Sequence, residues 1–223
     1  MRISIIVPTY NEETTIAELM ENLASLGAWE IVVADGGSED RTRDLAAARG
    51  RVLLVPAGRA IQMNAGAKAS SGDVLLFLHA DVRLEPSALT AVVKAMEDQA
   101  LVGGNFDIRY DGRDLAAWAF TTINRGRRRW GIFYGDSGIF CRRDVFERLG
   151  GYREWPIMED YEFARRLWKD GKVALLDEPI WVSARRWRNS GLLPTLWSWF
   201  LIQALYLAGV APAKLSRLYR RIR

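Results

Sequence analysis

Cysteine and histidine are nearly missing from this 223-residue chain, which has one of each. A single cysteine excludes an intramolecular disulfide and suits a reducing compartment. Cys141 itself, in "GIFCRR", sits between apolar residues and a basic pair and reads as a packed small hydrophobe rather than a nucleophile. No G-x-G-x-x-G follows the first apolar run and no G-x-x-x-x-G-K-[ST] occurs, so the usual dinucleotide fingerprint and the P-loop are both excluded. A secretory signal is missing too: the apolar run of "MRISIIVPTY" is short and is followed by Pro8, Glu12 and Glu13, which predicts a cytoplasmic protein. Acidic residues stop altogether after Glu178; residues 181–223 hold eight Lys and Arg and no Asp or Glu.

What is present belongs to a folded protein. Hydrophobic residues make up 49% and charged residues 26%, enough for one substantial core. The net charge of +4 hides a net-acidic body and a strongly basic end. A nucleic-acid protein would spread its basic footprint over the fold and interleave aromatics. Here the cations bracket an apolar segment, which points to an anionic membrane surface and not to nucleic acid.

Along the chain, apolar runs alternate with helical stripes. Ile3–Val7, Glu30–Ala34, Val52–Val55 and Val74–Leu78 read as strands, and Thr14–Leu26, Arg41–Ala48, Arg59–Ala69 and Ser87–Met96 as helices. Strands apolar throughout, alternating with helices, predict a parallel sheet covered on both faces. Beyond Gly103-Gly104 the pattern changes. Asn105–Tyr110 alternates like a half-buried strand, Asp114–Arg129 is helical, and Ile139–Cys141, Val173–Leu176 and Ile180–Ser183 are further strands, the last two separated by Pro179. Asp144–Leu149 and Asp160–Lys169 read as helices.

In an open parallel sheet, ligands bind outside the carboxyl ends of the strands. Four such ends carry polar motifs here: "PTYNEE", "ADGGSED", "VPAGR" and "HAD". Together with "GRAIQMNAGAKASSGDVLLFLHAD" and "MEDYEFARRL", in this order and spacing, they resemble the family 2 glycosyltransferases of GT-A fold over roughly residues 1–185. Within that family the chain is similar to the small single-domain members with a His-Ala-Asp variant of the D-x-D motif and a "GDSGIF"-like segment.

The resemblance implies transfer of a single sugar from a nucleotide diphosphate sugar, UDP-linked by the family pattern, to an acceptor hydroxyl with inversion. Pro8, Tyr10 and Glu12 match the loop that cradles base and ribose, and Asp35 the acid that reads the base. Arg59 and Asn64 lie in the stretch that closes over the nucleoside. Asp81 matches the acid that binds Mn2+ or Mg2+, with His79 and Ala80 completing the motif beside the ribose. Asp160 matches the catalytic base, and Gly135, Asp136 and Glu159 fall where the acceptor is handled. Arg186 and Trp187, in "SARRW", resemble the Q-x-x-R-W of processive members. Ser stands in place of the Gln, so polymer synthesis is not supported.

Each position has an ordinary alternative. Asp35 could cap the next helix, Glu12 and Asp160 favour helix N-termini, Asn64 bond a loop, Arg59 be a solvated helix-start residue and Asp136 cap a turn. His79 could touch the ribose, the metal or neither. The competing class is a membrane-associated nucleotide-sugar-binding module with weakened chemistry, told apart by whether metal tightens donor binding. Residues 1–188 are read as the transferase domain and 189–223 as an apolar helix with a basic amphipathic tail. Leu192–Val210 could lie in the interface of the cytoplasmic membrane's inner face, pack as a buried or dimerising helix, or span.

Overall fold

Strands and helices alternate through the first third of the computed structural model, which describes residues 1–112, 115–183 and 192–222. The elements are β1 (Ile3–Thr9), α1 (Ile16–Ser25), β2 (Glu30–Asp35), α2 (Thr42–Ala47), β3 (Arg51–Leu54), α3 (Arg59–Ala69) and β4 (Val74–Phe77). After them come β5 (Val82–Leu84), α4 (Ala88–Met96), β6 (Leu101–Tyr110), α5 (Leu115–Arg128), a 3-10 turn (Gly135–Ser137), β7 (Ile139–Arg142) and α6 (Arg143–Arg148). The chain continues as α7 (Glu159–Asp170), β8 (Lys172–Val182), α8 (Leu192–Leu207) and α9 (Pro212–Ile222).

One sheet runs in the order β3-β2-β1-β4-β7-β6-β8-β5. The first four strands are parallel, β7 runs antiparallel between β4 and β6, and β8 is parallel to β6. The direction of β7 decides where the site lies. Its N-terminus and the turn before it arrive at the edge where β1, β2 and β4 end.

Alternate side chains of the inner strands feed two cores. Ile5, Val7, Val33 and Leu76 face one, with α1 docking Ile16, Leu19, Met20 and Leu23 onto it. Ile6, Leu75 and Phe77 face the other, against α3, α6 and α7. Each fully buried large side chain contributes about 1.5–3 kcal/mol, which is what holds the helices to both faces. Cys141 is buried in the second core, and burial pushes its thiol pKa up, so it is a packing residue.

Two local expectations are corrected, and one short strand was not expected. Gly103 and Gly104 lie inside β6 rather than before it, because a Cβ at either would run into Phe140 of the neighbouring strand. The two strands expected around Pro179 are one, β8. Its ladder to β6 is irregular between Asn105 and Asp107, so the proline, which cannot donate, sits opposite Asp107 at the irregularity. The three-residue β5 directly follows the His-Ala-Asp turn and is too short for a periodic signal.

The C-terminal helices lie against the body. Ile202 of α8 and Leu215 of α9 are buried in a cluster with Met158 and Tyr161, joined by Tyr134 and Tyr206. No described helix is long and apolar enough to cross a membrane. At 1.5 Å per residue the 16 residues of α8 reach about 24 Å, short of a hydrocarbon core of about 30 Å.

Candidate active site

The ends of β1 and β2 are tied into one unit. Gly36 N–H donates to Thr9 O at 2.9 Å, continuing the pairing of Thr9 with Asp35. Asp35 has no exposed surface. Its carboxylate accepts from Thr9 Oγ1 (2.9 Å), Gly37 N (3.0 Å), Ser38 N (2.7 Å) and Ser38 Oγ (2.5 Å). Asn11, at φ 53°, donates its N–H to Ser38 Oγ at 2.9 Å and accepts Glu39 N–H on its side chain at 2.9 Å. A left-handed asparagine is tolerated because its short amide bonds locally. The strands thus end in a locked double loop from which Tyr10 projects, 55% exposed, while Pro8 and Glu12 are half-buried.

Gln62, which the sequence reading missed, fastens α3 to this unit. Its Nε2 donates to Thr9 O at 2.6 Å and to Ala34 O at 2.8 Å. It sits in "GRAIQMNAG", one turn after Arg59, and only its burial inside a helix of otherwise mixed polarity hints at this duty. Asn64 is engaged from both ends of its amide by one backbone residue: Nδ2 donates to Tyr152 O and Tyr152 N donates to Oδ1, each at 2.8 Å.

On the opposite wall, Met158 adopts φ 66°, an uncommon conformation for a non-glycine residue, and opens α7 with Glu159 and Asp160. The helix N-terminus favours acids there. Glu159 is buried and paired with the half-exposed Arg59 guanidinium at 3.2 Å. Burial pushes the Glu159 pKa up to about 6, the neighbouring Asp160 charge adds to the rise, and Arg59 opposes it.

Asp160 is nearly buried. Gly135 N donates to its Oδ2 at 2.9 Å and Tyr161 N to its Oδ1 at 2.7 Å, which fixes the plane of the carboxylate. His79 meets them at the same spot. A Cβ on residue 135 would lie 2.7 Å from His79 Nε2 and 3.2 Å from Asp160 Oδ2, so only glycine fits between the two side chains. Ala80 is buried, and Asp81 is half-buried in the turn that leads into β5. Asp136 is half-buried in the 3-10 turn next to Gly135. Arg186 and Trp187 lie outside the described residues.

Behind this spot stands a row of tyrosines that the sequence reading did not assemble. Tyr134 stacks on Tyr161 at 5.4 Å between ring centres, and Tyr206 of α8 meets Tyr161 edge-on at 5.6 Å. Burial pushes the Tyr134 phenol pKa up, and its hydroxyl donates to Gln203 Oε1 at 2.6 Å. The aromatic run "IFY" before "GDS" was visible in sequence, but the partners of Tyr134 come from helices 27 and 69 residues on.

The parallel βα half, the antiparallel return through β7 and the helix that begins with two acids are those of a GT-A glycosyltransferase fold. The sequence profile of glycosyl transferase family 2 matches residues 4–150, and the chain belongs to that family. Among curated relatives, an undecaprenyl-phosphate 4-deoxy-4-formamido-L-arabinose transferase of Pseudomonas paraeruginosa is 32% identical over 173 residues, covering 68% of this chain and 50% of the relative. A dolichol-phosphate mannosyltransferase of Pyrococcus furiosus is 31% identical, covering 68% and 45%. The chain therefore spans about half the length of these relatives. Among solved structures, a Pyrobaculum calidifontis mannosyltransferase in complex with GDP-Man and Mn2+ has a TM-score of 0.70 at 20% identity, covering 98% of this chain and 68% of that one. The glucosyl-3-phosphoglycerate synthase of Mycobacterium tuberculosis with Mn2+ and UDP-glucose has a TM-score of 0.57 at 21% identity, covering 80% and 69%.

Proposed function

We propose that this chain is a metal-dependent inverting glycosyltransferase. It moves one sugar from a nucleotide diphosphate sugar, UDP-linked, to an acceptor hydroxyl on a lipid or membrane-associated molecule at the inner face of the cytoplasmic membrane. The meeting of His79, Gly135 and Asp160 at the rim where β1, β2 and β4 end carries this reading. A carboxylate held there by two backbone N–H groups keeps lone pairs to accept an acceptor proton, and so acts as the general base. Attack at the anomeric carbon from the Asp160 side, with the nucleotide leaving on the other, inverts the centre.

The remaining residues divide the donor between them. Tyr10 offers an exposed ring to the base, with Pro8 and Glu12 beside the ribose, and Asp35 holds the Gly36–Ser38 loop in shape beneath it. Arg59, its guanidinium paired with Glu159, would close over the donor from the start of α3. Among the described residues no group of three or more His, Cys, Asp or Glu side chains encloses an ion. Asp81, two residues after His79, would instead supply a carboxylate oxygen to Mn2+ or Mg2+, hard cations that take oxygen donors and need few of them from the protein beside a diphosphate. Bound there, such an ion neutralises the charge of the departing diphosphate. Relatives named for undecaprenyl and dolichol phosphate support a lipid-borne acceptor.

A panel of nucleotides and nucleotide sugars, each with and without Mn2+ or Mg2+, tests the donor reading by thermal shift, because a native-state ligand raises the melting temperature. One uridine nucleotide sugar should stand out, and metal should enlarge its shift. Product anomers read by NMR then test inversion. A panel in which no nucleotide diphosphate shifts the melt would sink the proposal.

A further inference from the structure

Helix α8 wears its polarity inside out. Its polar side chains turn to the body: Thr195 and Ser198 are 5% and 7% exposed, and Gln203 accepts from Tyr134. Ile202 and Trp199 also pack inward, but the large side chains that α8 leaves exposed are all apolar. Trp197 is 62% exposed, Phe200 65% and Leu207 67%. Leu196, Phe200 and Leu207 fall on one stripe of the helix, with the Trp197 ring 6.1 Å from that of Phe200. A helix facing water shows the reverse arrangement. Polar groups turned to protein and apolar groups turned away is the arrangement of a helix facing hydrocarbon.

We infer that the outer stripe of α8 docks on an anionic bilayer surface, with the helix lying in the plane of the interface. Charge selects this occupant. Residues 181–223 carry eight Lys and Arg and no acid, and Lys214 and Arg217 are exposed on α9, the next helix along the chain. Lys214 and Arg217 would meet lipid headgroups, each adding about 1 kcal/mol near an anionic surface. Trp197 suits the headgroup level, where an amphipathic ring is favoured. A second copy of the chain fits less well, because a two-fold contact through α8 would bring the same acid-free basic segment against itself.

Docking does not depend on how the site is read, but its consequence for the acceptor does. The helix that carries the stripe also rests Gln203 and Tyr206 on Tyr134 and Tyr161, the neighbours of Gly135 and Asp160. The body of α8 and the tyrosine row would then stand between the lipid plane and the candidate base.

Flotation with vesicles of phosphatidylcholine alone, or mixed with phosphatidylglycerol, tests the docking on the full chain. Wild type should float with the anionic vesicles and much less with the neutral ones. Trp197→Gln combined with Phe200→Gln should weaken flotation at least about tenfold, from the loss of two buried aromatic side chains. The same variant should keep its circular dichroism melt and its nucleotide thermal shift. Lys214→Glu with Arg217→Glu, which leaves the stripe intact, should erase the preference for anionic lipid and keeps the test valid if the first variant misfolds. Wild type that stays unbound with both vesicles would overturn the inference. So would a dimer by light scattering that the Trp197/Phe200 variant converts to monomer, since a second copy would then cover the stripe.

Discussion

The backbone N–H of Gly135 donates to Oδ2 of Asp160 at 2.9 Å, joining the turn before β7 to the first turn of α7. The same glycine leaves the space that His79 Nε2 fills. One missing Cβ therefore sets the separation between the His-Ala-Asp turn and the candidate base, and the substitutions below act on that relationship and its surroundings.

Asp160→Asn should lower the transfer rate by about 10²–10⁴-fold while leaving the nucleotide thermal shift in place, as removal of a general base does. Gly135→Ala should lower kcat at least about tenfold, because its Cβ must displace either His79 or Asp160 in a packed site. Gly126→Ala, on α5 with nothing within 4 Å of its Cβ, serves as the control and should keep full rate. Initial rates of the three variants decide it; a Gly135→Ala enzyme as fast as wild type would remove the site from this position.

Asp81→Ala should abolish the extra stabilisation that Mn2+ gives a bound nucleoside diphosphate, and EDTA on wild type should do the same. The metal-free nucleotide shift should persist in both cases, since Tyr10 and the β1–β2 loops are untouched. An Asp81→Ala protein whose nucleotide shift still rises with Mn2+ would place the ion elsewhere.

Glu159 makes stability depend on pH in an unusual sense. Its folded pKa, about 6, lies above the ordinary 4.5, so the native state binds more protons than the unfolded chain between those values. Its contribution to stability is thus fully present below about 4.5, falls as pH rises toward 6, and is flat above. The span is about 2 kcal/mol at 1.36 kcal/mol per pKa unit. Melting curves of wild type and Glu159→Gln should accordingly differ by a pH-dependent amount across that window and by a constant amount above it. A constant difference throughout would show that Glu159 titrates at its ordinary value.

Asn64→Ala should destabilise the fold by about 1–3 kcal/mol, since two half-buried hydrogen bonds to the Tyr152 backbone are lost. The donor KM should not change. A denaturant midpoint equal to wild type together with a raised donor KM would instead return Asn64 to the nucleotide.

Much of this was readable in the chain. The apolar runs from Ile3 to Phe77 and the stripes between them predicted the βα half to within a few residues, because burial on both faces leaves continuous hydrophobic strands. Arg59–Ala69 emerged with the very bounds expected. Less legible were Gly103 and Gly104, whose place inside β6 depends on Phe140 of another strand, and the union of the last two expected strands across Pro179. Among the candidate residues, Asp35 has its carboxylate committed to Thr9, Gly37 and Ser38, and Asn64 has its amide committed to the backbone of Tyr152, 88 residues away, which depends on how segments meet and has no signature in the spacing.

By itself the sequence determined the alternating parallel sheet, the family motifs at the strand ends and the acid-free basic terminus, since each is a property of neighbouring residues and their period. Tertiary structure alone decided the direction of β7, the meeting of His79, Gly135 and Asp160, the tyrosine row shared with α8, and which face of α8 looks outward. These depend on contacts between segments far apart in the chain, where backbone direction and the absence of a single Cβ set distances that no local pattern encodes. "LLFLHADVRL" marks the boundary: its strand end was legible, while the glycine that packs against its histidine lies 56 residues further along.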